Sequence, residues 1–384
     1  DGRIARFADA ERYPPRSDAY EAFVDAEALY NRAFDRSATV TFADARRRFE
    51  DAYQLDTTFK ASLLRAAWSA YSSRDGAAAE SMAERVEPYR ESLTPHARGR
   101  LDMLVAMLRG DRLAALRAAR TLTSAPMDRA LRALDANRPA EARDALLDAS
   151  EYVRRLRSVG YYGIEVGYWH LLANAFHMLG DFDAELSAIR EGRETYPSEV
   201  VLAAIELRAL AALGRVQEMD QLIDAGRSLP RARSPRFGGG MFRAAGELRA
   251  HGHPEAARAV AQTSIDWYLE LDPDELERWG ARNGLAQSFY VAERWTEADS
   301  VFEAMSTDRP EDYNALGFRA VLAARRGDRD AAEQFLEGVV EQADPYDRGR
   351  AAYWGACVAA QLGDREVAIE KLSQSFRNGR AYNL

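Results

Sequence analysis

Cysteine is almost absent: Cys357 stands alone in 384 residues. No intramolecular disulfide can form, and neither a CxxC pair nor a Cys/His zinc set can be assembled from one thiol. Lysine is nearly as scarce, Lys60 and Lys371 being the only ones, so arginine supplies almost all the positive charge. Even that charge is outnumbered, because the formal net charge is −9. Nucleic-acid binding needs clustered cations that displace counterions from phosphate, and a nucleic-acid partner is therefore not expected. No apolar run reaches the roughly 18 residues that a bilayer crossing requires, which excludes a transmembrane helix from this stretch.

Catalytic groupings are missing as well. The histidines are His96, His170, His177, His251 and His253. His170 and His177 fall seven apart on one helical face, too far for the pairing that HExxH supplies from positions four apart, so no metal and no other cofactor is expected. His251 and His253 flank Gly252 and read as turn residues. The acidic cluster Asp272, Asp274, Glu275 and Glu277 surrounds Pro273 and reads as a solvated helix start, where carboxylates favour the positive end of the helix dipole. Nothing around it suggests the apolar pocket that would tune a general acid. Gly238, Gly239 and Gly240 lack the lysine and hydroxyl of a phosphate loop, and flexibility is the simpler reading.

What is present is apolar content, 47% of the chain, rich in Ala and Leu with Gly and Pro set between periodic segments. That favours a large helical protein. The clearest unit runs from Trp169 to Pro197. Trp169, Leu172, Ala173 and Phe176 share one helical face, Gly180 and Asp181 break the helix, and Phe182 begins a second that carries Ile189 inward. A small residue at Ala173 lets two helices cross closely. Gly180 suits a left-handed backbone at the helix end, and Pro197 cannot continue the second helix. The arrangement returns at Leu285, Ala286, Phe289, Trp295, Ala298, Phe302 and Pro310, with Glu293 in place of the turn glycine. It returns again at Gly327, Asp328, Ala332 and Leu336, and at Gly363, Asp364, Ala368 and Leu372. Looser copies carry Gly214, Met219, Ile223 and Pro230, then Gly252, Pro254, Ala257 and Ala261.

Upstream, Ala45, Ala79, Ala114 and Ala142 take the small second-helix position, with Phe49, Leu116 and Leu146 on the buried side. The count is about ten helix pairs at a period of about 34 residues. The step from Ala114 to Ala142 is short by more than a turn, which predicts a stunted first helix around Met127 to Leu134. Two Arg-Gly-Asp triplets, Arg109 to Asp111 and Arg326 to Asp328, occupy the same turn position and need no adhesive role. Two stretches exceed a bare hairpin: the aromatic run Tyr152, Tyr161, Tyr162 and Tyr168, and the segment from Pro230 to Gly240. Both are candidate contact loops.

The stretches NRPAEARDALL, LGDFDAELSAIREGRETYP, ALAALGRVQEMDQLI, LRAHGHPEAARAV and YWGACVAAQLGDREVAIEKLSQSF resemble tetratricopeptide (TPR) repeats. They are similar to the TPR regions attached to bacterial serine/threonine kinases and related multidomain regulators. None of the kinase motifs occurs here, neither a VAIK-type lysine nor HRD nor DFG. The fold expected is an all-α, right-handed superhelical solenoid of about ten TPR-like hairpins. We divide it into degenerate pairs over 1–126, a central set with an irregular start over 127–237, and a C-terminal set over 238–384, forming one continuous array. The chain begins at Asp1 rather than Met, and the reading leaves its place open between a bacterial cytoplasm and export.

In solenoids of this kind the first helices line the concave side. Transferring that register selects His170, Asn174 and His177 in one repeat, Arg208 in the next, Asn283, Gln287 and Tyr290 further on, and Tyr353 near the end. These polar and aromatic side chains suit recognition of a protein or peptide. The function expected is a non-catalytic interaction scaffold of a regulatory or sensory kind. The alternative is a structural subunit that joins other copies of itself through solenoid ends or aromatic loops.

Overall fold

The computed structural model describes residues 15–33, 40–122, 125–157, 162–226, 235–310, 312–343, 346 and 348–381, and among them every regular element is a helix. None of these helices is long and apolar enough to cross a membrane. Two compact units divide the chain between Ile164 and Glu165.

The first unit holds four helix pairs: α1 (Ser17–Arg32) with α2 (Phe42–Leu55), α3 (Lys60–Ser72) with α4 (Gly76–Val86), α5 (Pro95–Leu108) with α6 (Arg112–Arg120), and α7 (Pro126–Asp135) with α8 (Pro139–Arg157). A 3-10 segment, Glu87–Ser92, follows α4. The second unit holds six: α9 (Tyr162–Leu179) with α10 (Phe182–Thr195), α11 (Val200–Ala212) with α12 (Val216–Gly226), α13 (Pro235–Ala250) with α14 (Pro254–Leu269), then, after the single turn α15 (Pro273–Leu276), α16 (Trp279–Val291) with α17 (Trp295–Asp308), α18 (Tyr313–Arg325) with α19 (Arg329–Glu341), and α20 (Arg350–Gln361) with α21 (Arg365–Arg377). The ten pairs match the repeat count read from the sequence, and α7 is only 10 residues long, as the short step between Ala114 and Ala142 requires.

Nine of the ten hairpins turn on one left-handed residue; the α1–α2 connection lies mostly outside the described residues. Positive φ occurs at Arg74, Gly110, Asn137, Gly180, Gly214, Gly252, Glu293, Gly327 and Gly363, always two residues before the second helix. The next residue caps that helix. The carboxylates of Asp75, Asp111, Asp181 and Asp328 accept from the backbone N–H of Ala78, Ala114, Ala184 and Ala331, satisfying a donor that the helix start leaves unpaired. Both Arg-Gly-Asp triplets therefore stand at turns. The acidic cluster at Pro273 does begin a helix: Asp272 is the N-cap of α15, and its carbonyl accepts from Glu275 and Leu276 without a side-chain hydrogen bond.

First helices pack on one another, as α3 does on α5, α11 on α13, α13 on α16 and α18 on α20, while each second helix also contacts the first helix of the following pair, as α10 does α11 and α17 does α18. Four residues into the second helix, counted from its cap, lies the closest crossing. Ala45, Ala79, Ala142, Ala257, Ala298 and Ala332 are fully buried there. In the α5–α6 pair the buried residue at this position is Ala115, one beyond the expected Ala114. In α10 the position is filled by Glu185, also at 0% exposure.

The glycine triplet contradicts the flexible reading. Gly238, Gly239 and Gly240 lie inside α13. A Cβ on Gly240 would stand 2.6 Å from Ala204 Cβ and 2.8 Å from Ala204 Cα, and one on Gly238 would meet the Tyr268 ring at 2.7 Å. Gly238 and Gly240 sit where the α14 ring and α11 approach too closely for a side chain, whereas a Cβ on Gly239 would make only ordinary contacts. Tyr161 and residues 230–234 lie outside the described residues, as do the side chains of Tyr152 and Tyr162. Tyr168 is buried, edge-on to Trp169 at 5.0 Å.

Candidate functional site

The close crossing of α11 on α13 has a consequence one turn further along both helices. Ala204 and Gly240 set the separation, and Arg208 of α11 and Arg243 and Glu247 of α13 are thereby brought toward α9. Five side chains then meet inside. Arg208 donates from Nε to Glu185 Oε1 at 2.8 Å and from Nη1 to Asn174 Oδ1 at 2.8 Å. His177 Nδ1 lies 2.7 Å from Glu185 Oε2, and its Nε2 lies 3.5 Å from Glu247 Oε1. Side-chain exposure is 11% for Arg208, 10% for His177 and 24% for Glu247. A fully buried carboxylate is tolerated only when its charge and lone pairs are answered. Glu185 meets that condition by facing a guanidinium and an imidazole at once.

A second carboxylate, Glu206 of α11, is buried in the same way. It accepts from Arg190 Nε at 2.8 Å and from Arg193, both on α10, and Arg190 also reaches Glu218 of α12 at 2.8 Å. Two charge clusters thus tie α10 to α11.

Toward solvent the charges change character. His170 and Arg243 are exposed residues on α9 and α13, yet surrounding protein desolvates them. The His170 imidazole is pushed down to about 4 by desolvation and then by the charges of Arg208 and Arg243. It is neutral at pH 7. Desolvation, with repulsion from Arg208, also lowers the Arg243 guanidinium. The ring of Phe242 lies 5.8 Å from it, and Tyr268 favours its charged form. His170, Arg208 and Arg243 come from three successive first helices, α9, α11 and α13, and the charges of the two arginines both act against protonation of His170.

Of the residues selected from sequence, His170, Asn174, His177 and Arg208 come together here. Asn174 is buried and serves Arg208 rather than the surface. Asn283, Gln287 and Tyr290 sit half-buried on α16, with Tyr290 edge-on to Phe318 at 5.5 Å. Tyr353 on α20 is half-buried, its ring covered by the Arg380 guanidinium at 3.8 Å. Sequence reasoning missed Glu185, Arg243 and Glu247. The one available signal was a glutamate where every neighbouring repeat but one carries alanine.

No protein-family profile matches the chain, and no curated protein matches it. Solved structures do. A tetratricopeptide repeat protein from Parabacteroides merdae aligns at 14% identity over 67% of this chain and 93% of that one, with a TM-score of 0.38. The apo form of the quorum sensor NprR from B. thuringiensis aligns at 13% identity over 85% of this chain and 98% of that one, with a TM-score of 0.45. The TPR domain of P58(IPK) aligns at 14% identity over 92% and 99%, with a TM-score of 0.24. The repeat geometry itself decides the class: helix pairs, a left-handed turn residue, and a buried small position. This is a TPR-like repeat protein. Within the TPR-like stack the polar cluster occupies the first helices of three successive hairpins, α9, α11 and α13, with α10 closing it from behind.

Proposed function

We propose that this chain is a non-catalytic protein-interaction scaffold whose second unit takes up an acidic segment of a protein partner along its first helices. The observation that carries the reading is the convergence of His170, Arg208 and Arg243, of which Arg208 is fixed by Glu185 and Asn174 while Arg243 has no carboxylate of its own among the described residues. A partner carboxylate would pair with Arg243 and offset its repulsion with Arg208. Attachment to a regulatory enzyme, which the kinase-linked resemblance implies, belongs to the same proposal.

Fluorescence anisotropy with labelled Glu/Asp-rich peptides, set against neutral peptides of equal length, tests it. Acidic peptides are expected to bind preferentially, with Arg243→Glu weakening them by roughly tenfold or more. Equal binding of acidic and neutral peptides would end this reading.

Self-association is supported by a separate observation at the far end of the second unit. Eight residues into the second helix from its cap, Phe49, Leu146, Ile189, Ala261 and Phe302 are fully buried, whereas the equivalent Leu372 of α21 is 39% exposed beside Ile369 at 56%. Sedimentation of the wild type against Leu372→Glu separates the two readings. A monomer at all concentrations removes self-association.

A further inference from the structure

The position of His177 does not fit a passive packing role. It lies on α9, yet its two ring nitrogens face carboxylates from two other helices: Nδ1 faces Glu185 of α10 at 2.7 Å and Nε2 faces Glu247 of α13 at 3.5 Å. A neutral imidazole carries one N–H and one lone pair, so it can donate to only one of these carboxylates and must turn its lone pair on the other. Only the imidazolium satisfies both. We infer that His177 is a proton-operated clasp, which as imidazolium ties α9 to α10 and α13 together and as neutral imidazole keeps Glu185 and gives up Glu247, loosening the last turns of α13 while the packing of that helix on α11 and α14 holds.

The surroundings decide which partner is released. Glu185 is fully buried and also holds Arg208 of α11, so it stays. Glu247 is a quarter exposed, and its second oxygen lies 3.6 Å from His251. His251 follows α13 itself and cannot anchor that helix to α9. The remaining neighbours are the Arg208 guanidinium, which opposes protonation of His177, and the ring of Phe182, 5.3 Å away. Burial works against the charged form, but hydrogen bonds to Glu185 and Glu247 outweigh it, and the His177 imidazole is held above its ordinary value. The reciprocal effect lowers Glu247.

The sign follows. A histidine raised in the folded state contributes its stability below the ordinary histidine range and loses it as pH rises through the raised value. The clasp is shut in mild acid and opens in mild alkali. Because α13 also carries Arg243, loosening its last turns would alter how Arg243 is presented. That last consequence rests on the acidic-partner reading above, whereas the clasp itself does not.

The test uses the full chain without any partner. Histidine-labelled protein is titrated by NMR, His177 being assigned through His177→Gln, and amide protection in α9 and α13 is followed from pH 6 to pH 9 after correction for intrinsic exchange. Wild type is expected to titrate His177 above the ordinary histidine value and to lose protection in the last turns of α13 over the same interval. Glu247→Gln, which keeps the shape of a partly exposed side chain, is expected to move both steps to lower pH. His177→Gln should remove the step. A His177 midpoint at or below the ordinary value, or a protection step that Glu247→Gln leaves in place, would overturn the inference. Should His177→Gln fail to fold, the wild type and Glu247→Gln alone decide between these outcomes.

Discussion

Two glycines of α13 offer a matched pair of substitutions with opposite expected signs. A Cβ at Gly246 meets nothing within 4 Å, whereas one at Gly240 falls 2.6 Å from Ala204 Cβ and 2.8 Å from Ala204 Cα. Both positions are interior to the same helix, so alanine gains about 0.5–1 kcal/mol of helix preference at each. At Gly246 that gain stands alone, and Gly246→Ala should stabilise by this amount. At Gly240 the obstructing atoms include backbone, which cannot rotate away, and the overpacking costs about 1–3 kcal/mol. Subtraction leaves Gly240→Ala destabilising by up to about 2.5 kcal/mol, with a central value of about 1 kcal/mol. Repeat stacks seldom unfold in one step, so the readout is amide exchange in α11 and α13 rather than a global transition. Separation of the helices should also relieve His170 of its cationic neighbours, raising its midpoint from about 4 toward the ordinary value. Shifts of the same sign in both variants would refute the close-packing argument and restore the flexible-loop reading of the triplet.

Further perturbations follow from the same geometry. Arg74 is exposed with φ +63 in a hairpin turn, so Arg74→Gly should stabilise the first unit by about 1 kcal/mol, while Gly180→Ala, at φ +73 with open space around it, should destabilise the second by about 1–2 kcal/mol; chemical denaturation checks both. Glu185→Ala restores the usual small residue but strands a buried guanidinium, costing about 3–5 kcal/mol, and Arg208→Met in the same chain should recover most of that in thermal unfolding. Glu141 is held below the ordinary carboxylate range chiefly by hydrogen bonds from Arg120, with Arg129 adding to them. Its contribution is present above the unfolded-state value and disappears as pH falls through the lowered one, so Glu141→Gln should flatten the acid limb of the stability profile.

Much of the fold was legible because its determinants are local. Gly180, Gly214, Gly252, Gly327 and Gly363 mark turns through a backbone conformation that glycine adopts freely, and spacing alone shortened α7. Arg74 and Asn137 occupy the same conformation without glycine, so those turns were found only through the alanines downstream. The triplet at Gly238 was misread because a glycine run signals a loop unless something packs against it, and what packs there, Ala204 and Tyr268, comes from other helices. The site was half legible. Helical register placed His170, Asn174, His177 and Arg208 correctly on first helices, but which of them face inward depends on Glu185 and Glu247. Glu185 is masked by a position that normally holds alanine, and Glu247 reaches His177 only because α11 and α13 are so close.

If His170, Arg208 and Arg243 on three first helices receive a partner carboxylate, His170 reports its arrival. The direct measurement is the titration of His170 by NMR in the presence and absence of a saturating acidic peptide. The account requires a midpoint near 4 in the free chain and a clear upward displacement once the peptide's negative charge offsets Arg208 and Arg243. A midpoint that is ordinary in the free chain, or that the bound peptide leaves unchanged, contradicts it.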